Sequence, residues 1–230
     1  TLERLEISNK ELEQFAYAIS HDLNEPLRSI TGYIQLIAKK YQDKLDEQGT
    51  HFIKRMESSA IRLQNMIGNI LEYSRVTTKP GETKVTNLNS ILRDVLANLE
   101  IRINETNAEI TWDNLPSIEC KPTQIMRVFQ NLISNAIKFR GKQTPKIHIS
   151  SRDLENFIEF SVSDNGIGIE ENHFDRIFVL FQRLHSREEY PGTGVGLAIC
   201  KRIVESHGGK IWLKSKLEQG TTFYFTILNQ

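Results

Sequence analysis

The chain has 230 residues, more than one small core needs, so one large or two small domains are expected. Lysine plus arginine and aspartate plus glutamate both number 29, so the net basic field of a nucleic-acid-binding domain is absent. The two cysteines, Cys120 and Cys200, have no CxxC or metal-ligand spacing and read as reduced thiols, and no apolar run approaches the ~18 residues of a membrane span.

Residues 1–76 read as helix. Apolar positions recur in steps of three and four at Leu12, Phe15, Ile19, Leu23, Leu27, Ile30, Ile34 and Ile37, one stripe of a helix. A polar stretch containing Gly49, residues 42–50, interrupts the pattern. It resumes at Phe52, Met56, Ala60, Leu63, Ile67, Ile70 and Ser74. Two long helices joined by a short loop make an antiparallel hairpin, and a full apolar stripe with no third helix to cover it predicts a homodimer, a four-helix bundle. Pro26 falls inside the first helix, where it removes a donor and crowds the carbonyl of Asp22. A kink or loosened turn is expected at 22–26. The chain begins inside a helical pattern, without a signal peptide, and reads as a fragment of a longer protein.

Residues 77–84 (TTKPGETK) carry Pro-Gly and read as a linker. Beyond it, residues 85–230 form a second domain. Helices are predicted over 87–104, with Asn87 or Asn89 as cap, over 122–139 and over 194–207. Strands are predicted over 109–113, 146–152, 157–164, 210–215 and 221–228. Helices mixed with mostly hairpin-connected strands predict an α/β two-layer sandwich.

Three segments of this second domain carry chemistry. Asp164-Asn165-Gly166-Ile167-Gly168 follows a strand, and Gly192-Thr193-Gly194-Val195-Gly196-Leu197 opens a helix. Glycine at such junctions lets backbone approach a ligand, and the exposed N–H groups of a helix start favour phosphate; tight helix–sheet packing would also use glycine there. The GxGxG spacing fits no dinucleotide fingerprint, and no P-loop occurs. In the segment NLISNAIKF, Asn131, Asn135 and Lys138 share one helix face opposite Ile125, Val128, Phe129 and Leu132. That face is either solvated or a set of amide oxygens for magnesium with a lysine near phosphate.

The order of these elements resembles the transmitter region of sensor histidine kinases. A kinked helix carrying HDLNEPLR is followed by NLISNAIKF, DNGIGI, IFVLFQRL and GTGVGLAI, similar to the family's five boxes in order and spacing. The wording is most similar to phytochrome-like members and to relatives with PAS or GAF sensor domains. The resemblance implies an ATP fold shared with gyrase, mismatch-repair and heat-shock ATPases. It implies His21 as phosphoacceptor, Asp22 as the neighbouring acid, ATP and Mg2+ as cofactors, an upstream sensor domain and a response-regulator receiver partner in the cytoplasm. Neither nucleic acid nor membrane contact is expected of this fragment.

In the same resemblance Asp164 accepts from the adenine amino group, while Gly166 and Gly168 make room for the base. Asn135 binds magnesium, and Asn131 and Lys138 support metal and phosphates. A lid over 182–191 is anchored by Phe178 and Phe181 and ended by Gly192, Gly194 and Gly196 within GTGVGL, which includes Thr193, Val195 and Leu197. Arg183 and Arg187 are candidate phosphate contacts. Three positions depart from the common pattern: Glu25 stands where many members carry Thr or Asn for dephosphorylating the regulator, Lys121 replaces an aspartate, and Arg140 replaces a small polar residue. The alternatives are an ATPase of the same fold or a signalling scaffold without kinase activity. Related ATPases carry glutamate where Asn131 stands, and an amide cannot serve as base for water.

Overall fold

In the computed structural model residues 2–78, 81–186, 189–190 and 192–229 are described, with residues 2–19, 21, 77 and 78 described by their backbone. The side chains of Leu12, Phe15, Ile19 and His21, and residues Arg187 and Pro191, lie outside that set. The chain divides into two compact units, 1–78 and 79–230.

The first unit is a helical hairpin of α1 (Leu2–Lys40) and α2 (Glu47–Thr78). Helix α1 runs through Pro26 without a break in its assignment. The polar interruption is shorter than the sequence suggests, because α2 starts at Glu47. The Asp46 carboxylate accepts from Gly49 N at 2.6 Å, which satisfies one of the donors a helix start leaves open and draws residues 47–50 into the helix. Leu27, Ile34, Ile53, Ala60 and Ile67 bury the contact between the helices. One polar layer interrupts it: buried Thr31 donates to Leu27 O at 2.8 Å. Only part of the predicted stripe faces the hairpin's own partner helix. Leu23, Ile30, Phe52, Met56 and Leu63 remain about half exposed within one chain.

The second unit stacks three helices on a five-stranded sheet. Asn87 caps α3 (Leu88–Thr106) by accepting from Asn89 N at 2.9 Å, and Pro122 opens α4 (Pro122–Lys138) at a position where the missing N–H costs nothing. Helix α5 (Gly196–Ser206) begins two residues later than predicted, because Gly194 sits at φ +74, outside the helical region. Strand order is β2 (Glu109–Trp112), β4 (Lys146–Leu154), β5 (Phe157–Asp164), β7 (Gly220–Leu228), β6 (Ile211–Lys216). The β2–β4 pair is parallel and the others antiparallel. Two strands were not predicted. β1 (Lys84–Asn87) takes the last residue of the expected linker and pairs with β3 (Ser117–Cys120), both too short to show a period.

The core lies between helices and sheet. Phe129 of α4 meets Phe160 of β5 and Phe225 of β7, edge-on to both, with centroids 6.1 and 5.6 Å away. All three rings are 0% exposed, so α4 is held with its apolar face on the sheet and its amide face turned away from it.

Candidate functional site

That amide face is one wall of a cavity of about 310 Å³. Asn131, Ser134, Asn135 and Lys138 recur at helical spacing along it. Asp164, Ile177, Thr221 and Phe223 line another side, and Gly192, Thr193, Gly194, Gly196 and Leu197 close a third.

Asp164 ends β5 half-buried. Its Oδ1 accepts from Gly166 N at 2.8 Å and Thr221 N at 3.2 Å. Burial pushes its pKa up to about 6, although both N–H groups pull the other way. Oδ2 takes no bond from the described residues, so a carboxylate oxygen stays available to a donor in the cavity. Gly168 forms the wall beside it at φ +74. A Cβ there would strike the Lys216 carbonyl and come within 2.9 Å of Leu217 Cα, so only glycine lets the β6–β7 turn close behind the site.

Lys138 is half-buried with its Nζ 4.0 Å over the Phe139 ring. Burial first, then the charges of Arg183 and Arg102, lower its pKa to about 8. Three cations gathered in one cavity form a site for a polyanion. Arg183 lines the cavity and is also held by its own segment. Its guanidinium donates to Gly192 O at 2.9 Å, Ser186 O at 3.2 Å and Tyr190 O at 2.6 Å, joining these three residues through one side chain.

Asn131 packs on the start of α5. A Cβ on Gly196 would come within 2.9 Å of Asn131 Oδ1, and Asn131 Nδ2 is buried without a partner. An orphaned amide in a cavity wall is costly unless a ligand completes it. No cluster of three or more His, Cys, Asp or Glu side chains that could hold a metal occurs among the described residues. The side-chain amide oxygens of Asn131 and Asn135 on the cavity wall are of the ligand type that magnesium takes.

Gly166, Phe181 and Val195 were expected at the nucleotide and do not line the cavity. Gly166 packs the DNG turn on the end of α4, where a Cβ would lie 2.5 Å from Phe139 O. Val195 is 0% exposed and belongs to the core. Phe181 is exposed, with φ +63, and is held by its own N–H, which donates to Gly194 O at 2.9 Å. Phe178 lies edge-on to Phe223, 6.5 Å away. Arg102, His185 and Tyr190 also line the cavity and had no sequence signal of their own. Tyr190 and His185 cluster with Phe139, at 5.0 and 5.9 Å. His21 lies within α1, and Asp22 beside it is exposed.

Residues 120–230 match the family model of the histidine kinase-, DNA gyrase B- and HSP90-like ATPases, and residues 11–79 match that of the histidine kinase A phosphoacceptor domain. Cyanobacterial phytochrome A of Nostoc sp. strain PCC 7120 is 51% identical over 223 residues, covering 97% of this chain. The chain spans 29% of that relative's length. The solved catalytic domain of histidine kinase ThkA is 34% identical with a TM-score of 0.57, covering 64% of this chain and 96% of that one. The structure of ThkA in complex with the response regulator protein TrrA matches at 26% identity and a TM-score of 0.65, over 99% of this chain and 66% of that one. With a phosphoacceptor domain followed by an ATPase domain, and a kinase catalytic domain matched almost end to end, the chain belongs to the sensor histidine kinases and carries their transmitter region.

Proposed function

We propose that the chain binds ATP with magnesium in the second unit and transfers the γ-phosphoryl to His21, from which it passes to an aspartate of a response-regulator receiver domain. The carrying observation is one cavity in which a half-buried carboxylate with a free oxygen, Asp164, stands with the three cations Arg102, Lys138 and Arg183. The carboxylate suits an adenine amino group and the cations suit a triphosphate.

In this reading residues 1–76 dimerise and accept phosphate, 77–84 link, and 85–230 are catalytic. Asn135, with Asn131 beside it, would hold the magnesium ion, whose chemistry is to neutralise phosphate oxygens. The unprotonated nitrogen of the His21 imidazole attacks the γ-phosphorus, the bond to the ADP oxygen breaks, and the ring sheds the proton of its other nitrogen, with Asp22 as acceptor. Gly168, Gly192, Thr193, Gly194, Gly196 and Leu197 bring backbone to the nucleotide, and Arg183 shapes the lid.

A second copy of the hairpin is the proposed cover for Leu23, Ile30, Phe52, Met56, Leu63 and Ile70, each 39–54% exposed in one chain. The complex of ThkA with TrrA supports a receiver domain as partner, and the phytochrome relative supports an upstream sensor in the same polypeptide. No helix among the described residues is long and apolar enough to cross a membrane, and a cytoplasmic place is proposed for this region. Incubation with γ-labelled ATP and magnesium should give a label that is acid-labile and alkali-stable. His21→Gln should lose the label and keep ATP binding. Label persisting on His21→Gln would reject the acceptor; no label on the wild-type dimer would reject the kinase reading.

A further inference from the structure

We infer that Arg102 is a further catalytic residue, reaching from α3 to bind the terminal phosphate of ATP while it is transferred; this rests on the nucleotide reading of the cavity.

The three cations of the cavity are not equivalent. The Lys138 ammonium is half-buried over the Phe139 ring, and the Arg183 guanidinium gives three of its five N–H groups to carbonyls of its own segment. Arg102 is exposed and comes from another element. Its Nη1 donates to Ser134 Oγ at 3.0 Å across 32 residues of sequence, and it forms no ion pair with a carboxylate among the described residues. The serine holds a long side chain against the cavity wall, while Nη2 and Nε stay available for a ligand oxygen.

Position along α4 says which part of the ligand this is. Asp164 and Gly166 pack at the end of α4, where Ile167 N donates to Phe139 O at 3.0 Å. An adenine held by Asp164 lies at that end. Ser134 precedes Phe139 by five residues, roughly 7 Å along the axis at 1.5 Å per residue, so its arginine lies away from the base. The phosphoryl that leaves must face the open side, because its acceptor belongs to the other unit. Arg102 is the exposed cation of the three. A planar guanidinium matches phosphate oxygens two at a time and keeps its charge throughout. As the bond from the γ-phosphorus to ADP breaks and the bond to the imidazole nitrogen forms, Arg102 exchanges no proton. It holds the oxygens whose charge redistributes.

ATP and ADP share everything except the phosphate in question, so their affinities separate this role from a structural one. The dimer would be titrated with each nucleotide and magnesium by calorimetry, for wild type, Arg102→Ala, Arg102→Lys and Ser134→Ala, with autophosphorylation followed alongside. Arg102→Ala should weaken ATP roughly ten- to hundredfold, the usual loss of a charge-assisted hydrogen bond, and leave ADP affinity and thermal midpoint unchanged. Its kcat should fall at saturating ATP. Arg102→Lys should recover part of both, and Ser134→Ala should show the same ATP-selective pattern at smaller size. Equal losses for ATP and ADP, or wild-type ATP affinity and kcat in Arg102→Ala, would overturn the inference. Failure of the wild type to bind either nucleotide would instead overturn the nucleotide reading.

Discussion

The backbone N–H of Lys121 donates to Nε2 of His207 at 3.2 Å, joining the start of α4 to the end of α5 across 86 residues of sequence. His207 Nδ1 lies 2.8 Å from Ile203 O, so the ring donates from Nδ1 and accepts at Nε2, which requires it to be neutral. Burial lowers its pKa, with the nearby Lys121 charge adding to that and the Ile203 carbonyl opposing it. A histidine whose folded pKa is depressed stabilises the fold above its unfolded value of 6.5, and that contribution is lost as pH falls through the folded value. The thermal midpoint of the second unit is therefore expected to fall below pH 6.5. His207→Gln, which can still accept from Lys121 N, should flatten that acid limb relative to wild type. Parallel melting curves against pH for the two proteins would refute the assignment.

Asp164 acts with the opposite sign. Its folded pKa is raised to about 6 from 3.8, so the ionised carboxylate costs stability at neutral pH and the cost is relieved as pH falls from 6 towards 4. Asp164→Asn should raise the thermal midpoint of the empty protein at pH 7.5. It should also weaken ATP roughly ten- to hundredfold, because an amide donor meets the adenine amino group. Calorimetry at pH 5.5 and 7.5 should show a steeper acid loss of affinity in wild type than in the variant, since the nucleotide's own titration is common to both.

Lys138 should make ATP binding take up protons near pH 8. Burial first, then the charges of Arg183 and Arg102, hold its pKa at about 8, with Asp164 the carboxylate in the same lining. A bound triphosphate outweighs the two guanidinium charges and draws the lysine back to its protonated form. Binding heats measured at pH 8 in two buffers of different ionisation enthalpy should reveal an uptake of about half a proton. Lys138→Arg, charged at every working pH, should abolish it. An identical uptake in both proteins would assign the proton elsewhere.

The hairpin separates two kinds of apolar residue. Ile34 is 8% exposed within one chain, whereas Leu63 is 47% exposed. Ile34→Glu puts a charge between α1 and α2 and should unfold the hairpin, lowering its helix signal. Leu63→Glu should leave each hairpin folded and convert the dimer to monomers, read by light scattering at micromolar concentration. A Leu63→Glu protein that keeps dimer mass would place the dimer contact elsewhere on the bundle.

Residue order along one element was enough for what depends on one element. The steps of three and four that define α1, α2 and α4 are local, and so is the alternation of β5, whose predicted limits, 157–164, match the structure. Asp164, Asn131, Asn135 and Lys138 are singled out by the resemblance in the order and spacing of the five segments; glycines at junctions and amides on one helical face, taken alone, leave packing and solvation open. What sequence could not supply are relations between elements. β1 and β3 exist only as each other's partner, four residues each, with no period to betray them. Arg183, a candidate phosphate contact in the sequence, also donates to three carbonyls of its own segment, a matter of where the chain folds back. Arg102 carries no motif at all. It reaches the cavity because the packing of α3 on α4 brings it to Ser134, and a charge's effect depends on distance and burial, which only the tertiary structure decides.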